Sequence, residues 1–587
     1  MQDDQPTAAR SPWPRRLLLT GLGVAVALVL AAGWLALRVY QAGTALAEAQ
    51  RALPSGASSL SATDVSAVST ALPHVRSDLA RARSAASDPV WRVAEHLPWA
   101  GAQLNAVRVV TVALDDVVGS AGPVLDRAQG VLAARDTLLS NGRVNLAPFT
   151  DVEPELTRAA QVSTAAAARV QAIDTRHLVH RLAGPVGTVQ QLLPKLASAL
   201  DTGSQLAALV PPMLGADGPR TYLVVALNSA ELRSAGGIVG AVAAVQVDHG
   251  VVRLVDHRST ADFTELAQPV LPLTDAELAI DTDRLGRWVQ DSVLTPDFPR
   301  SAQLIAAHWA KDVGGTVDGV IATDPIAVSY LLGAVGGVQT SSGTLDQQSA
   351  VPSLLRDPYV GGLAAKAADQ YFAQAATAIF GAVVSGKGDP GRLVDAMAKA
   401  ASDGRVRVWS AHPEEEQRLS VRTVGGAFLS GPYADATGVF LDDGTGGKLD
   451  YYLRTAVTVE NLSCTGPAPT ADVRLDLTYD PPADVASWPR ETAGRATGFA
   501  PGSLVTDLTV YAAQGAALSS LRLGDDAVVS GLAAQQAGRQ VQVVSSVLAP
   551  GQSATYRVQV PVRHGAVQVW ATPTVASGGL VTATCPS

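Results

Sequence analysis

The sequence is poor in the residues that metal centres and disulfide-rich frameworks require. Its 587 residues include two cysteines and nine histidines, and no His or Cys stands at ligand spacing near either cysteine. The chain also lacks the G-x-S-x-G, S-x-x-K, Walker P-loop and H-E-x-x-H motifs. These absences argue against a serine hydrolase, a penicillin-binding protein, an NTPase and a zinc protease.

Excess positive charge is also missing. The formal net charge is -9 at pH 7, which argues against a general nucleic-acid binder, because such a protein needs a basic surface. The composition is otherwise that of a globular protein, with 47% hydrophobic and 17% charged residues. A chain of this length is too long for one compact core, so we expect several domains.

The two cysteines, Cys464 and Cys585, both lie in the last quarter of the chain. If this part of the protein is in an oxidising compartment, they can form a disulfide. The bond would tie the extreme C-terminus to the start of its own domain. Two free, buried thiols are the alternative.

Residues 17–37 form a stretch of 21 positions without a charged side chain. A helix of that length crosses a bilayer core of roughly 30 Å. Arginines precede the stretch and Arg38 follows it, so the positive-inside rule places the tail, residues 1–16, in the cytoplasm. We therefore expect a single-pass membrane anchor with nearly everything after Arg38 outside the cytoplasm. A cleaved signal peptide is the alternative, although its apolar region is normally only ~7–15 residues long.

Residues 40–212 are rich in alanine, with leucine and valine at helical spacing. Between Leu178 and Leu200 the apolar residues stand three, four or seven positions apart, which predicts an amphipathic helix interrupted at Gly184-Pro185. This part of the chain is expected to form a helical stalk or bundle. Coiled-coil oligomerisation stays open, but no heptad pattern is sustained along it.

Two further domains follow from the change in pattern after residue 215. Residues 215–450 alternate Val-rich strand candidates with helical segments, which predicts an α/β domain. Residues 451–587 contain alternating strands separated by Pro, Gly and Asp turns, which predicts a β-sandwich. The sandwich carries no catalytic constellation and is interpreted as a structural or recognition module.

The most informative polar segment is "NSAELRSAGG", residues 228–237, which separates two apolar strand candidates. A tight turn would explain it, and so would an anion site. Arginine forks suit phosphate oxygens, and glycines let backbone N–H groups approach the same anion. The candidate anion or pyrophosphate ligands in the α/β domain are Arg233, Arg258, Arg300, Arg356, Gly236 and Gly237.

The four arginines are predicted to follow strands or open helices, where α/β sheets bind their ligands. Asp262 is a candidate ligand for Mg²⁺. Taken alone, each arginine is better interpreted as a solvated surface charge, and only their clustering at predicted strand ends favours a site. The run "LDDGTGG", residues 441–447, offers paired carboxylates beside a turn. We interpret this run as a turn rather than a Ca²⁺ loop, because it lacks the ligand spacing of an EF-hand.

Three segments together strongly resemble the domain of unknown function 4012 family: "LNSAELRSAGGIVG", "TPDFPRSAQLIAAHWAKDVGGTVDGVIATDPIAVSYLLGAVGGV" and "DDGTGGKLDYYL". The similarity extends over about residues 90–575. It implies a bacterial envelope protein with an N-terminal membrane anchor. The family carries no established activity, so the resemblance by itself assigns none.

The order of elements in the α/β domain is similar to that of the catalytic domain of the LytR-CpsA-Psr family. Those extracellular enzymes move glycopolymers from a polyprenyl-pyrophosphate lipid to peptidoglycan. Arg233 and Arg258 stand on the two arginine positions of that family, and Asp318 stands on the Asp position before a later strand. This resemblance implies a LytR-CpsA-Psr-like fold and a pyrophosphate site.

The same comparison shows where the chain departs from those enzymes. The acidic residue after the first arginine is replaced by Ala235, and the residues on either side of the second arginine are His257 and Ser259. The late arginine-rich motif is reduced to Arg356. The missing acidic groups put Mg²⁺ binding in question, and the missing arginines put pyrophosphate affinity in question.

Two functions follow from these observations. We favour a membrane-anchored, extracytoplasmic scaffold or binder of an envelope polymer or partner, without catalysis. The alternative is a phosphotransferase-like enzyme that acts on a polyprenyl-pyrophosphate-linked glycan, with Mg²⁺ as cofactor and Asp262 as the base. The cytoplasmic membrane is a partner in both cases, and nucleic acid is a partner in neither.

Overall fold

A computed structural model describes residues 13–52, 62–133, 138–140, 142–360, 362–363, 365–524 and 527–586. The chain divides into two compact units. The first comprises residues 1–134 and 147–211, and the second comprises residues 135–146 and 212–587. Each unit is described by itself.

The described part of the first unit is helical. Its helices are α1 Trp13–Ala52, α2 Ala62–Ala86, α3 Pro89–Ala94, α4 Ala100–Ala133, α5 Ala147–Gln171 and α6 His180–Met213, with a short 3₁₀ helix at Thr175–His177. Small and medium apolar side chains allow α4, α5 and α6 to pack closely. Ala113, Val170 and Leu193 lie in one buried cluster between these helices, and burial of their apolar surface stabilises the bundle.

The interruption expected at Gly184-Pro185 is wrong, because α6 continues through both residues. A proline inside a helix removes one backbone hydrogen bond. Val186 and Leu193 of the same helix are buried, and their packing compensates for that loss. Tertiary burial here outweighs a local helix-breaking signal.

The segment predicted to cross the membrane, residues 17–37, lies within α1. The side chains of residues 13–28 and the whole of residues 1–12 lie outside the described residues. No helix in the described part of the chain combines the length and the apolar character that a membrane crossing requires. The membrane anchor therefore stays a prediction.

The second unit begins with a seven-stranded mixed sheet. The strands of this part of the chain are β1 Leu139–Ser140, β2 Arg143–Val144, β3 Arg220–Asn228, β4 Ile238–Asp248, β5 Val251–Ser259, β6 Gly319–Thr323, β7 Val338–Thr340, β8 Gly343–Leu345 and β9 Arg407–Ser410. The sheet order is β1-β2-β5-β4-β3-β6-β9, and β7 pairs with β8 separately. Within the seven-stranded sheet, β3 and β6 run parallel, while β4 and β5 form antiparallel hairpin partners.

Helices connect and cover these strands. They are α7 Asp275–Ile280, α8 Arg284–Arg287, α9 Phe298–Asp312, α10 Pro325–Val335, α11 Ala350–Leu355, α12 Asp357–Val360, α13 Ala365–Val384, α14 Pro390–Ser402 and α15 Pro413–Ser420. Short 3₁₀ helices occupy Thr260–Asp262, Val289–Asp291 and Thr423–Gly425. The apolar face of α9, including Phe298 and Ile305, packs against Leu223 of β3 and Val320 of β6. This helix fixes the sheet from one side.

The rest of the second unit is a two-sheet β structure. Its strands are β10 Thr437–Asp443, β11 Leu453–Glu460, β12 Thr470–Tyr479, β13 Leu504–Tyr511, β14 Arg522–Leu523, β15 Ala527–Val528, β16 Leu532–Gln536, β17 Arg539–Leu548, β18 Ser553–Pro561, β19 Ala566–Ala571 and β20 Leu580–Thr584. The remaining helices are the 3₁₀ helices Leu449–Tyr452 and Val485–Ser487 and the short α16 Arg490–Ala493. The sheets have the orders β16-β17-β13-β10-β19-β20 and β11-β12-β18-β14-β15.

Strand β10 belongs to the six-stranded sheet, although the sequence prediction started the sandwich at residue 451. All seven of its residues are buried, and it pairs with β13 on one side and β19 on the other. A central strand buried on both faces lacks the alternating pattern by which half-buried strands are recognised. The strand order therefore places the change from α/β to all-β structure before Thr437.

Cys464 and Cys585 form the disulfide that their positions suggested. The bond closes a loop of 121 positions in sequence. It joins the segment after β11 to the segment after β20, so it links an early and a late strand of the β structure. This connection confirms the disulfide rather than two free thiols.

Replacing Cys464 by serine is expected to lower the free energy of unfolding by about 2–5 kcal/mol, because the loop is no longer closed in the unfolded chain. Thermal unfolding of the oxidised protein measures the effect. The double variant with Cys585→Ser is the matched control and should unfold at the same temperature as the single variant. A single variant as stable as the wild type would contradict the structural role of the bond.

Candidate functional site

The segment "NSAELRSAGG" is a buried connection between β3 and β4, covered by the chain that follows β10. The Leu232 N–H donates to Asp450 Oδ2 at 2.8 Å, and the Ser234 N–H donates to Asp442 Oδ1 at 2.8 Å. In the opposite direction, the Asp443 N–H donates to the carbonyl of Leu232 at 2.8 Å. These bonds join the α/β part and the β part of the second unit directly.

The paired glycines allow the backbone of this segment to fold closely back on itself. Gly237 has φ +154°, and a Cβ atom built on it would lie 2.5 Å from the carbonyl of Asn228. Only glycine fits such a contact without a shift of the backbone. The Gly236 N–H already donates to the carbonyl of Arg233 at 2.7 Å. Of the two glycines predicted to donate to an anion, Gly236 therefore already uses its N–H within the turn.

Substituting Gly237 by alanine is expected to lower the free energy of unfolding by about 2–4 kcal/mol, from overpacking and backbone strain together. Chemical denaturation measures the change. Gly240→Ala is the matched control, because a Cβ there would lie 3.4 Å from its nearest neighbour, the carbonyl oxygen of Ala226. Equal stability of the two variants would show that the close approach at Gly237 is not a constraint.

Arg233 lies inside the protein, with a relative exposure of 2%. Its Nε donates to Asp291 Oδ1 at 3.0 Å, its Nη1 donates to the carbonyl of Leu232 at 2.8 Å, and its Nη2 donates to Glu231 Oε1 at 3.4 Å. Arg284 approaches the other oxygen of Asp291 from the opposite side at 3.1 Å. The protein itself therefore supplies acceptors to all three nitrogens of the Arg233 guanidinium.

These residues belong to a larger set of charges at the junction of the α/β and β parts. We call it the Arg233 cluster: Glu231, Arg233, Asp291, Asp442, Asp443, Lys448 and Asp450. Lys448 Nζ pairs with Glu231 Oε2 across the junction. Six members are buried and Lys448 is partly buried. The cluster thus contains five carboxylates and two cations.

The electrostatics of the cluster follow from this excess of carboxylates. Burial raises the pKa of Asp442 to about 7, despite the opposing effect of Arg233. Burial also raises the pKa of Asp443 and, well above its usual range, that of Asp450. Burial opposes ionisation of Glu231 as well, but Lys448 and Arg233 outweigh it and lower its pKa. A surplus of acidic groups is the reverse of what a pyrophosphate ligand requires.

The other predicted ligands lie elsewhere, each with a different partner. Arg258 pairs with Asp256 at 2.9 Å, and its side chain is 41% exposed. Asp262 accepts a hydrogen bond from the Ser259 N–H at 2.9 Å and so caps the short 3₁₀ helix after β5. The proposed Mg²⁺ ligand is therefore a capping residue in this structure.

Arg300 and Arg356 complete the predicted set. Arg300 lies on α9, where its Nε donates to Glu277 Oε1 at 2.7 Å and its Nη2 donates to the carbonyl of Pro272 at 2.7 Å. Arg356 pairs with Asp357 at 2.7 Å and is 42% exposed. The four arginines thus have four separate sets of carboxylate partners rather than one common centre.

Asp318 lies at the opposite end of the strands from Arg233. It immediately precedes β6, whereas Arg233 follows β3, and these two strands are parallel. Its carboxylate accepts hydrogen bonds from Arg220 Nη1 at 3.2 Å and from the Thr221 N–H at 2.8 Å, and it lies 2.8 Å from His412 Nε2. Asp318 therefore holds the start of β3 beside the start of β6.

Sequence reasoning missed the carboxylates of the β part that bond to the neighbours of Arg233, Leu232 and Ser234. Asp442 and Asp443 were read as part of a turn, although they end a strand whose seven residues are all buried. Two acidic residues in such a strand are the signal that could have revealed a buried ionic contact. Within the described ranges, no group of three or more His, Cys, Asp or Glu side chains is arranged to hold a metal ion.

Comparison with known proteins identifies a family for part of the chain. A search of curated proteins found no match. Residues 217–359 match the family described as "Protein of unknown function (DUF4012)", a stretch that runs from just before β3 to α12. This part of the chain contains Arg233 and the segment "NSAELRSAGG". The resemblance to this family that was drawn from the sequence is thereby confirmed over residues 217–359.

Proposed function

We propose that this protein is a membrane-anchored, extracytoplasmic scaffold that binds an envelope polymer or a protein partner without catalysing a reaction. The observation that carries the proposal is the burial of Arg233 among carboxylates of the same chain. An arginine that binds pyrophosphate must present free N–H donors to the ligand. In this protein those donors are taken up by Asp291, Glu231 and the carbonyl of Leu232.

Three further observations support the scaffold. Asp442, Asp443 and Asp450 are buried at the junction with raised pKa values, and a carboxyl group in either protonation state supplies no positive charge for a pyrophosphate. The disulfide between Cys464 and Cys585 suits an oxidising compartment outside the cytoplasm. The apolar stretch at residues 17–37 is long enough to anchor the chain in the cytoplasmic membrane. Together they support an anchored, extracytoplasmic protein rather than a pyrophosphate-dependent enzyme.

The alternative is a phosphotransferase-like activity, and one observation favours it. The side chains of Arg258 and Arg356 are 41% and 42% exposed, so an oxyanion could reach them in place of their present carboxylate partners. In a LytR-CpsA-Psr-like domain such groups would neutralise the departing pyrophosphate. We favour the scaffold because no common centre brings these two arginines together with Arg233.

The two functions differ in what calorimetry of the full-length protein with a short-chain polyprenyl pyrophosphate would show. We expect no saturable heat of binding, with or without Mg²⁺. Arg258→Ala and Arg356→Ala are the appropriate variants, because both residues are partly exposed and their loss leaves the buried cluster intact. Saturable binding that either variant abolishes would overturn the proposal and favour the phosphotransferase alternative, which a transfer assay would then test.

A further inference from the structure

Besides Arg233, three buried arginines lie where the α/β part meets the β part of the second unit, and two of them each donate to at least three acceptors. Arg405 pairs with Asp324 at 2.7 Å and also donates to the carbonyls of Thr574 and Ser577. Arg539, which is 2% exposed, has no carboxylate partner in the described part of the chain, but it donates to four backbone carbonyls at 2.6–3.4 Å: those of Phe428, Tyr433, Ala436 and Ala512.

Arg407 is the third, and its environment is incomplete. It is 7% exposed, and its one hydrogen bond to the described residues runs from Nη1 to the carbonyl of Thr423 at 2.9 Å. Its guanidinium carbon lies 5.3 Å from the centroid of the Trp570 ring. Among the described residues, no carboxylate lies within ion-pair distance of it. Burial lowers the pKa of Arg407 to about 10, so the guanidinium is still charged at neutral pH.

A small cavity adjoins this unbalanced charge. It has a volume of about 10 Å³, and Arg407, Gly404, Thr423 and Trp570 are among its lining residues. The Nε1 of Trp570 is buried and has no hydrogen-bond acceptor. At Gly404 a Cβ atom would lie 2.9 Å from Nη2 of Arg407, so the guanidinium packs directly against the backbone of this glycine.

These observations describe a site that needs an acceptor. A buried cation without a counter-charge is costly, and a buried N–H without an acceptor costs about 1–3 kcal/mol. A monatomic anion would correct both defects, whereas water supplies an acceptor but no counter-charge. A cavity of this size is on the scale of a single water molecule or a single monatomic ion, and it is too small for a phosphate or a pyrophosphate.

We propose that the cavity beside Arg407 binds one small monovalent anion, of the chloride or bromide kind, between the guanidinium and the indole N–H of Trp570. Gly404 and Arg407 belong to the α/β part, and Trp570 lies on β19 of the six-stranded sheet. The anion therefore bridges the two parts. It acts as a structural ligand that stabilises their junction.

Thermal unfolding of the full-length protein tests this directly, with sodium gluconate exchanged for sodium chloride at constant ionic strength. Chloride is expected to raise the Tm in a saturable manner by about 1–3 °C, because a ligand that binds the folded state stabilises it. Arg407→Gln should abolish the rise. Trp570→Phe, which keeps a ring but removes the N–H, should weaken it, and Arg258→Gln should leave it unchanged. An equal rise in Arg407→Gln would overturn the proposal.

Crystals of the wild-type protein grown in bromide give a second test that does not depend on a variant folding. The proposal predicts an anomalous bromide peak within about 3.5 Å of the Arg407 nitrogens, a contact distance for an ion and its donors. Density for a water molecule at this position, without anomalous signal, would show that the cavity holds solvent and would overturn the proposal.

Discussion

Replacing Arg233 by alanine is expected to lower the free energy of unfolding of the second unit by about 3–5 kcal/mol. Removing one partner of a buried ion pair leaves the other charge uncompensated. Here Asp291 and Glu231 both lose the guanidinium that lies 3.0 and 3.4 Å from their oxygens. Denaturation followed by tryptophan fluorescence and by circular dichroism measures the change.

Arg258→Ala is the matched control for that experiment. Arg258 also pairs with a single nearby carboxylate, Asp256, but its side chain is 41% exposed. Exposed ion pairs contribute only about 0–1 kcal/mol, so this variant should retain nearly all of the wild-type stability. A small effect at Arg233, equal to that at Arg258, would mean that Arg233 does not stabilise the fold.

The second large effect concerns pH. The pKa of Asp442 in the folded protein is raised to about 7 by burial, whereas an aspartate in an unfolded chain titrates near ~3.9. Between these two values the folded state keeps a proton that the unfolded state has lost. Stability from this group is therefore complete below pH ~4 and declines as the pH rises to about 7.

Asp442→Asn removes this titration while the amide keeps the geometry. Its oxygen can accept from the Ser234 N–H and its nitrogen can donate to Ser234 Oγ, the two atoms that contact Asp442 now. We expect the variant to gain stability relative to wild type on going from pH 4 to pH 8. The gain would approach about 4 kcal/mol at most, at 1.36 kcal/mol for each pKa unit.

Other charges facing Asp442 set the background for this measurement. Arg233 opposes the rise in its pKa, and Asp507 on the neighbouring strand β13 adds to it. Burial raises the pKa of Asp281 as well, with Asp442 contributing. The quantity to compare is therefore the difference in unfolding free energy between Asp442→Asn and wild type at each pH. Asp357→Asn, at a 49% exposed side chain, serves as the control, and parallel pH profiles for Asp442→Asn and wild type would contradict the account.

Much of the secondary structure could be predicted from local pattern. The Val-rich segments in residues 222–257 form β3, β4 and β5, and the segments with helical spacing after Phe298 and Pro325 form α9 and α10. These elements have clear local signals, such as Asp324 at the N-cap of α10 and Gly336 at its end. The similarity to the LytR-CpsA-Psr domain stays a prediction.

The candidate site could be predicted only in part. The segment around Arg233 was recognised as unusual because it places charges between two apolar strands. Its partners could not be identified, since Ser234 and Asp442 are 208 positions apart and no local pattern specifies such a contact. The burial that turns Arg233 from a ligand-binding group into a structural one is a tertiary property.

The Arg233 cluster is expected to couple the α/β and β parts of the second unit. A double-mutant cycle between Glu231 and Lys448, which pair across the junction, tests it most directly. Glu231→Gln, Lys448→Met and the double variant would be compared with wild type by chemical denaturation. The account predicts a coupling free energy of at least about 1 kcal/mol, whereas effects that add to within about 0.5 kcal/mol would contradict it.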